Sequence, residues 1–254
     1  MGDDTLAGGY GNDTLIGGLG NDSLIGGLDT NDWASYADAT GAITVNLVAG
    51  TVGGAAGNDT LIGIEGIVGS AFGDDLQGNG NDTISFAGVT DTLLGVTVDL
   101  GAGTSSGGGG QDTFSGFVGI IGGAGNDSLL GDSLNNWISG GEGGDRLAGL
   151  AGNDTLVGGA STGWDDWRLG FRYFGDWADY SAASGAVTVN LTAGTSSGAA
   201  GNDSLNGIEN IRGGSGDDSI NGGNQFSRWF EGGSGNDTII GNVSGSGGSF
   251  ASYV

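Results

Sequence analysis

Five stretches of this chain spell nearly the same nine residues, and that period constrains the fold more than anything else in it. Gly8 to Ile16 reads GGYGNDTLI and Gly17 to Ile25 reads GGLGNDSLI. The phrase returns as GGAGNDSLL from Gly122, GLAGNDTLV from Gly149 and GGSGNDTII from Gly232. Its first part, Gly-Gly-x-Gly-x-Asp, has little side chain to obstruct a tight turn and one carboxylate at the sixth place. Its second part, Thr/Ser-Leu/Ile-x, alternates polar with apolar, which suits a three-residue strand with its middle side chain inward. A unit this small cannot bury one apolar side chain alone. The units must therefore stack into a solenoid with a continuous inner ladder of Leu and Ile.

The carboxylate spacing indicates which units meet. If two nonapeptides make one turn of a flattened coil, aspartates eighteen residues apart lie above one another. Asp4 and Asp22 have that separation, as do Asp127 and Asp145, while Asn136 and Asp154 repeat it with an amide in place of one acid. Carboxylates stacked one strand spacing apart, about 4.8 Å, repel unless a cation lies between them. Calcium suits such a place: it is hard, takes six to eight oxygens and accepts backbone carbonyls from Gly-rich turns. Soft-ligand metals lack partners, since the chain has neither His nor Cys.

The phrase GGxGxDxUx, with U a large apolar residue, resembles the nonapeptide of the repeats-in-toxin (RTX) family, the haemolysin-type calcium-binding repeats. The resemblance implies an all-β fold, a right-handed parallel β-roll or β-solenoid with several calcium ions in its Gly-Asp turns. It implies also a module exported by the type I route, unfolded in the low-calcium cytoplasm and folded outside the cell. The metal-binding candidates it assigns are Asp4, Asp13, Asp22, Asp59, Asp74, Asp82, Asp112, Asp127, Asp145, Asp154, Asp203, Asp218 and Asp237. The match degrades at Gly131 to Ser139 (GDSLNNWIS) and Gly222 to Phe230 (GGNQFSRWF).

Composition agrees. With 62 Gly among 254 residues, no Pro and a net charge of -25, self-repulsion and glycine's backbone entropy both oppose compaction until cations bind. Metal binding then becomes folding free energy. The absence of Cys excludes a disulfide frame, and no apolar run is long enough to span a bilayer. Residues 1–4 do not read as a signal peptide, which is compatible with type I export.

A longer repeat overlies the short one. DWASYADATGAITVNL begins at Asp32, DTISFAGVTDTLLGVTVDL at Asp82 and DWADYSAASGAVTVNL at Asp176. Each is followed by a Gly-rich turn, a GNDTL-like phrase at Gly57, Gly110 or Gly201, and a shortened turn: GIEGIV at Gly63, GFVGII at Gly116, GIENIR at Gly207. In each copy the flanking aspartates are fifteen apart. These read as wider coils with strands over 43–47, 96–100 and 187–191, and Tyr36, Phe86 and Tyr180 occupy one equivalent core place. The expected organisation is one continuous roll over 1–254. Narrow coils span 2–31, 122–159 and 213–241, long-repeat coils span 32–121 and 176–212, an aromatic insert fills 160–175, and 242–254 opens a further long repeat or an open end.

The insert places Trp164, Trp167, Phe171 and Phe174 at helical spacing, with Arg168 and Arg172 four apart. Together with Trp229, the residues Trp164, Trp167, Arg168, Phe171 and Arg172 form a candidate partner-binding patch, packed on the roll or exposed to a partner subunit or to sugar rings. All five basic residues lie in the second half. They either relieve local repulsion or supply opposite charge for self-association. The uncapped ends read as a segment of a longer array or as surfaces that continue head to tail into filaments. Enzymatic function is not expected: Gly159 to Gly163 matches G-x-S-x-G, but there is no His to act as base, and no Lys or Cys nucleophile. Nucleic acid is disfavoured by the charge. Three functions follow: a calcium-dependent extracellular structural or adhesive protein; the export and folding module of a larger secreted enzyme or toxin; or a carbohydrate-binding module contacting polysaccharide.

Overall fold

The computed structural model describes residues 2–28, 31–160, 175–223, 228–241 and 250–252. Within them the chain is all β, in two compact units, 1–125 and 126–254. Each is a β-roll.

In the first unit successive short strands fall alternately into two parallel stacks. One begins with Thr5–Gly9, Ser23–Gly27 and Thr60–Ile62, in the register Leu6, Leu24, Leu61. The other runs Thr14–Leu15, Trp33–Ser35, Gly66–Val68, the end of Asp75–Ser85, and the end of Thr113–Ile121. Period-two alternation sends one side chain of each triplet inward. Leu15, Leu24, Ala34, Leu61, Ile67, Ile84 and Ile120 are all buried and form the inner ladder.

The second unit repeats the plan. One stack is Ser128–Leu130, Arg146–Ala148, Trp177–Asp179, Asn210–Arg212, Trp229–Glu231 and Phe250–Ser252. The other starts with Trp137–Glu142, Thr155–Ala160 and Ser204–Asn206. Leu129, Leu147, Ala178, Ile211 and Phe230 fill one inner face, and Ile138, Leu156 and Leu205 the other. Phe250–Ser252 pairs in parallel with Trp229–Glu231.

The long repeats are not simply wider parallel coils. Each contains a hairpin. Ile43–Asn46 pairs antiparallel with Thr51–Gly54, which meets Thr60–Ile62 antiparallel at Thr51 and Thr60. Ile43–Asn46 then resumes parallel pairing with Asp75–Ser85. The same excursion recurs as Val96–Asp99 with Thr104–Gly107, and as Val187–Asn190 with Thr195–Gly198. The reversal depends on Gly50, Gly103 and Gly194, at φ 65°, 67° and 67°, a left-handed conformation that costs glycine nothing. The strands expected over 43–47, 96–100 and 187–191 are thus present one residue shorter, with a reversed neighbour the repeat count does not reveal. Tyr36, Phe86 and Tyr180 are all buried at their shared place.

Candidate metal centre

The nonapeptide turns carry one recurring contact. In most turn aspartates the Oδ1 accepts the backbone N–H of the residue stacked on it in the adjacent coil. Asp22 accepts from Asp4 at 2.8 Å, Asp145 from Asp127 at 2.8 Å and Asp154 from Asn136 at 2.8 Å, all eighteen residues apart. Where an insertion intervenes the bond spans it: Asp32 accepts from Asp13, Asp59 from Asp22, Asp176 from Asp145, Asp203 from Asp154, Asp112 from Asp74 and Asp237 from Asp218, at 2.8–3.0 Å. The carboxylates thus lie in files along the roll edges, each fixed by one oxygen.

The second oxygen divides them into two classes. In Asp13, Asp22, Asp32, Asp145 and Asp154 the Oδ2 is buried with no hydrogen-bond partner, and in Asp82 the Oδ1 is. A buried carboxylate oxygen without a partner costs several kcal/mol unless a cation or proton meets it. Burial accordingly pushes Asp145 up to about 8 and Asp154 up to about 6. Nearby carboxylates add to this: Asp127 and Asp176 for the first, Asp203 and Asp132 for the second.

The leading glycine of each phrase makes room for that oxygen. A Cβ on Gly8, Gly17, Gly140 or Gly149 would collide with the Oδ2 of the aspartate five residues on: Asp13, Asp22, Asp145 or Asp154. Over Gly140 the same space also holds the carbonyl oxygen of Gly158 from the adjacent coil. Among the described residues no three Asp or Glu converge on one point, so each turn offers carboxylate in ones and twos, beside backbone carbonyls. Oxygen donors alone, partly neutral and mounted on Gly turns, fit calcium better than a small strict octahedral ion. When bound, calcium supplies the positive charge these partnerless oxygens lack. Gly149 has no positive φ, so alanine there is opposed by space alone. Gly149→Ala is expected to weaken the site at Asp154 by roughly tenfold or more, which competition with a calcium-sensitive dye would read.

Five other candidates, Asp59, Asp74, Asp112, Asp203 and Asp218, have their second oxygen satisfied by protein. Asp74 Oδ2 accepts the Ser70 N–H at 2.7 Å and Asp218 Oδ2 that of Gly214 at 2.7 Å. The three aspartates beside the hairpins are met by hydroxyls. Tyr36 donates to Asp59 at 3.0 Å, Ser105 to Asp112, and both Tyr180 at 3.0 Å and Ser196 at 2.7 Å to Asp203. The three repeats compensate position by position. Where the second has Phe86 for tyrosine it has Ser105 for serine, and where the first has Val52 for serine it has Tyr36. Of the other candidates, Asp4 is exposed and heads a file, Asp127 donates its N–H to Asp145, and Asp237 is half-buried.

Periodicity alone passed over several groups that join these files. Asp32 follows Gly26 by six residues instead of five, and Asp176 is separated from its glycine, Gly158, by the insert; both glycines nevertheless face these carboxylates. The Asp-Trp-Ala phrase common to both was the available signal. Glu65 and Glu209 take the aspartate role, their Oε2 accepting the N–H of Asp32 at 3.0 Å and of Asp176 at 2.9 Å. The Tyr and Ser hydroxyls could not be found by alternation, which fixes a side chain's face but not the target of its tip.

Trp164, Trp167, Arg168, Phe171 and Arg172 lie outside the described residues. Trp229 is half-buried in its strand and donates its backbone N–H to Asn210 Oδ1 at 2.9 Å. Arg146 pairs with Asp179 at 2.5 Å and Arg212 with Glu231 at 2.6 Å, so these two arginines relieve acidic neighbours within the second unit.

Stacked parallel coils with oxygen-lined Gly-Asp turns define a calcium-binding β-roll. Residues 1–32, 120–138, 130–162, 205–225 and 229–244 match the family described as RTX calcium-binding nonapeptide repeat (4 copies). These segments are nonapeptide repeats of the RTX type, which bind calcium. No curated protein matches it.

Proposed function

We propose that this is a calcium-dependent structural or adhesive protein working outside the cell, with no catalytic role, whose rolls fold as calcium binds and associate with further copies. The observation that carries the calcium-coupled part is the set of buried carboxylate oxygens without partners, at Asp13, Asp22, Asp32, Asp82, Asp145 and Asp154, in files whose other hydrogen bonds are made. Calcium sites of extracellular modules have Kd of about 10⁻⁴ to 10⁻³ M. Filling several within one cooperative stack makes folding steep in calcium. RTX repeats are typical of secreted proteins, and no helix of the described residues is long and apolar enough to cross a membrane.

The test is a calcium titration of chelated chain by far-ultraviolet circular dichroism with light scattering, and magnesium as control. A steep gain of β-signal with calcium alone, followed by growth of ordered particles, is the expected result. A chain already folded in chelator, or one served equally by magnesium, would sink the calcium reading. A calcium-folded monomer would sink self-association.

A further inference from the structure

One file of carboxylates continues beyond the segments that match the nonapeptide family. Trp33, Gly66 and Thr83 are paired in parallel register in three consecutive coils, so the residues before them, Asp32, Glu65 and Asp82, stand one above another. Glu65 and Asp82 belong to no matched segment. Asp32 and Asp82 are both fully buried, and each has one oxygen without a partner.

The reason lies in the shortened turn. In a nonapeptide file each Oδ1 accepts the N–H of the residue stacked on it. Here the N–H groups of both Glu65 and Gly66 are taken by the Asp32 carbonyl, at 2.9 and 3.0 Å. Asp82 therefore has no N–H above it to accept. Its Oδ2 takes the N–H of Asn79 in its own turn at 2.7 Å, and its Oδ1 takes nothing. The Glu65 charge bears on this same carboxylate.

The second unit repeats this file with one change. Trp177 pairs with Asn210 and Ile211 with Phe230, a register that places Asp176, Glu209 and residue 228 as Asp32, Glu65 and Asp82 are placed. Glu209 holds the Asp176 N–H just as Glu65 holds that of Asp32. The third position is Arg228, whose guanidinium donates to the Ile208 carbonyl at 3.2 Å and feels the Glu209 charge. The chain thus sets a cation beside one glutamate and an acid beside the other.

We propose that the first unit binds one further calcium ion between the coils of Glu65 and Asp82, and that Arg228 supplies the corresponding positive charge beside Glu209 in the second. This rests on the reading of the chain as a calcium-binding roll. A hard divalent cation is the ligand chemistry that matches: oxygen donors only, from two acids stacked in adjacent coils, one of them with a buried oxygen that no donor meets.

The test counts calcium per full-length chain by equilibrium dialysis at saturating calcium, with folding checked by circular dichroism. Asp82→Asn and Glu65→Gln are each expected to lose one ion. Asp82→Arg, which copies the second unit, is expected to lose one ion while staying folded, and Arg228→Asp to gain one. An unchanged count in Asp82→Arg, or its failure to fold in calcium, overturns the proposal, because the arginine should replace the metal's charge. If the unaltered chain binds no calcium, the reading of the whole roll falls; if it binds several and the variants match it, only this site does.

Discussion

In chelator, lowering the pH from 8 to 5 is expected to increase the β-structure of this chain. The carboxylates of Asp145 and Asp154 are raised to about 8 and about 6 by burial, and those of Asp59, Asp82, Asp112 and Asp218 are raised also, burial again leading. In the unfolded chain such groups titrate near 3.9. The folded, metal-free roll therefore holds protons more tightly than the unfolded chain, and linkage makes acid favour folding. That contribution is complete below about pH 4 and is lost as the pH rises through the folded values, last of all at Asp145, near 8. Calcium acts in the opposite sense. It needs the carboxylates ionised, so its folding midpoint should move to higher calcium at pH 5 than at pH 8. Circular dichroism across a grid of pH and free calcium reads both effects. A chelated chain that loses β-signal on acidification would show that burial does not govern these carboxylates.

Removing a hydroxyl at the hairpins should give a graded loss that calcium does not repair. Among the described residues one side chain, Tyr36, meets the buried Asp59 Oδ2, whereas Asp203 Oδ2 receives both Tyr180 and Ser196. Burial, then the facing aspartate, raises both tyrosines, so each hydroxyl keeps its proton and remains a donor. Tyr36→Phe leaves a buried carboxylate oxygen unsatisfied, at about 1–3 kcal/mol. Tyr180→Phe should cost less, and the pair Tyr180→Phe with Ser196→Ala should cost more than the sum of the single changes. Urea midpoints at saturating calcium measure these differences. Equal losses for Tyr36→Phe and Tyr180→Phe would mean that the hydroxyls do not seal these carboxylates. A full rescue of Tyr36→Phe by added calcium would mean that Asp59 takes an ion once its seal is gone.

Much of this was legible in the sequence because one physical rule repeats. The nine-residue phrase fixes which side chain of each triplet points inward, and Leu24, Leu129 and Leu156 are buried as that rule requires. The eighteen-residue spacing likewise gave the stacking of Asp4 on Asp22, Asp127 on Asp145 and Asn136 on Asp154. The rule stops where the count changes. Asp32 is displaced by one residue and Asp176 by an insert, yet both enter the files, because the backbone regains register through pairing and not through counting. The hairpins were hidden for another reason. Gly50 reverses the chain, but in a sequence a quarter glycine nothing marks it apart from a glycine in a calcium turn. The aspartates at 59, 112 and 203 accordingly looked like the others, although their second oxygens belong to Tyr and Ser.

The hairpins also set where a relay of carboxylate hydrogen bonds ends. Along one edge the relay runs from Asp13 through Asp32 to Glu65, and Asp82 stacks next in the file without accepting an N–H from it. On the other edge the reversed strand Thr51–Gly54 follows directly on Thr60–Ile62, and the relay from Asp4 through Asp22 ends at the hydroxyl-bound Asp59. The two edges of one roll therefore finish differently: one relay closes on a carboxylate sealed by a neutral hydroxyl, the other on an acid stacked against a second acid that it does not bond.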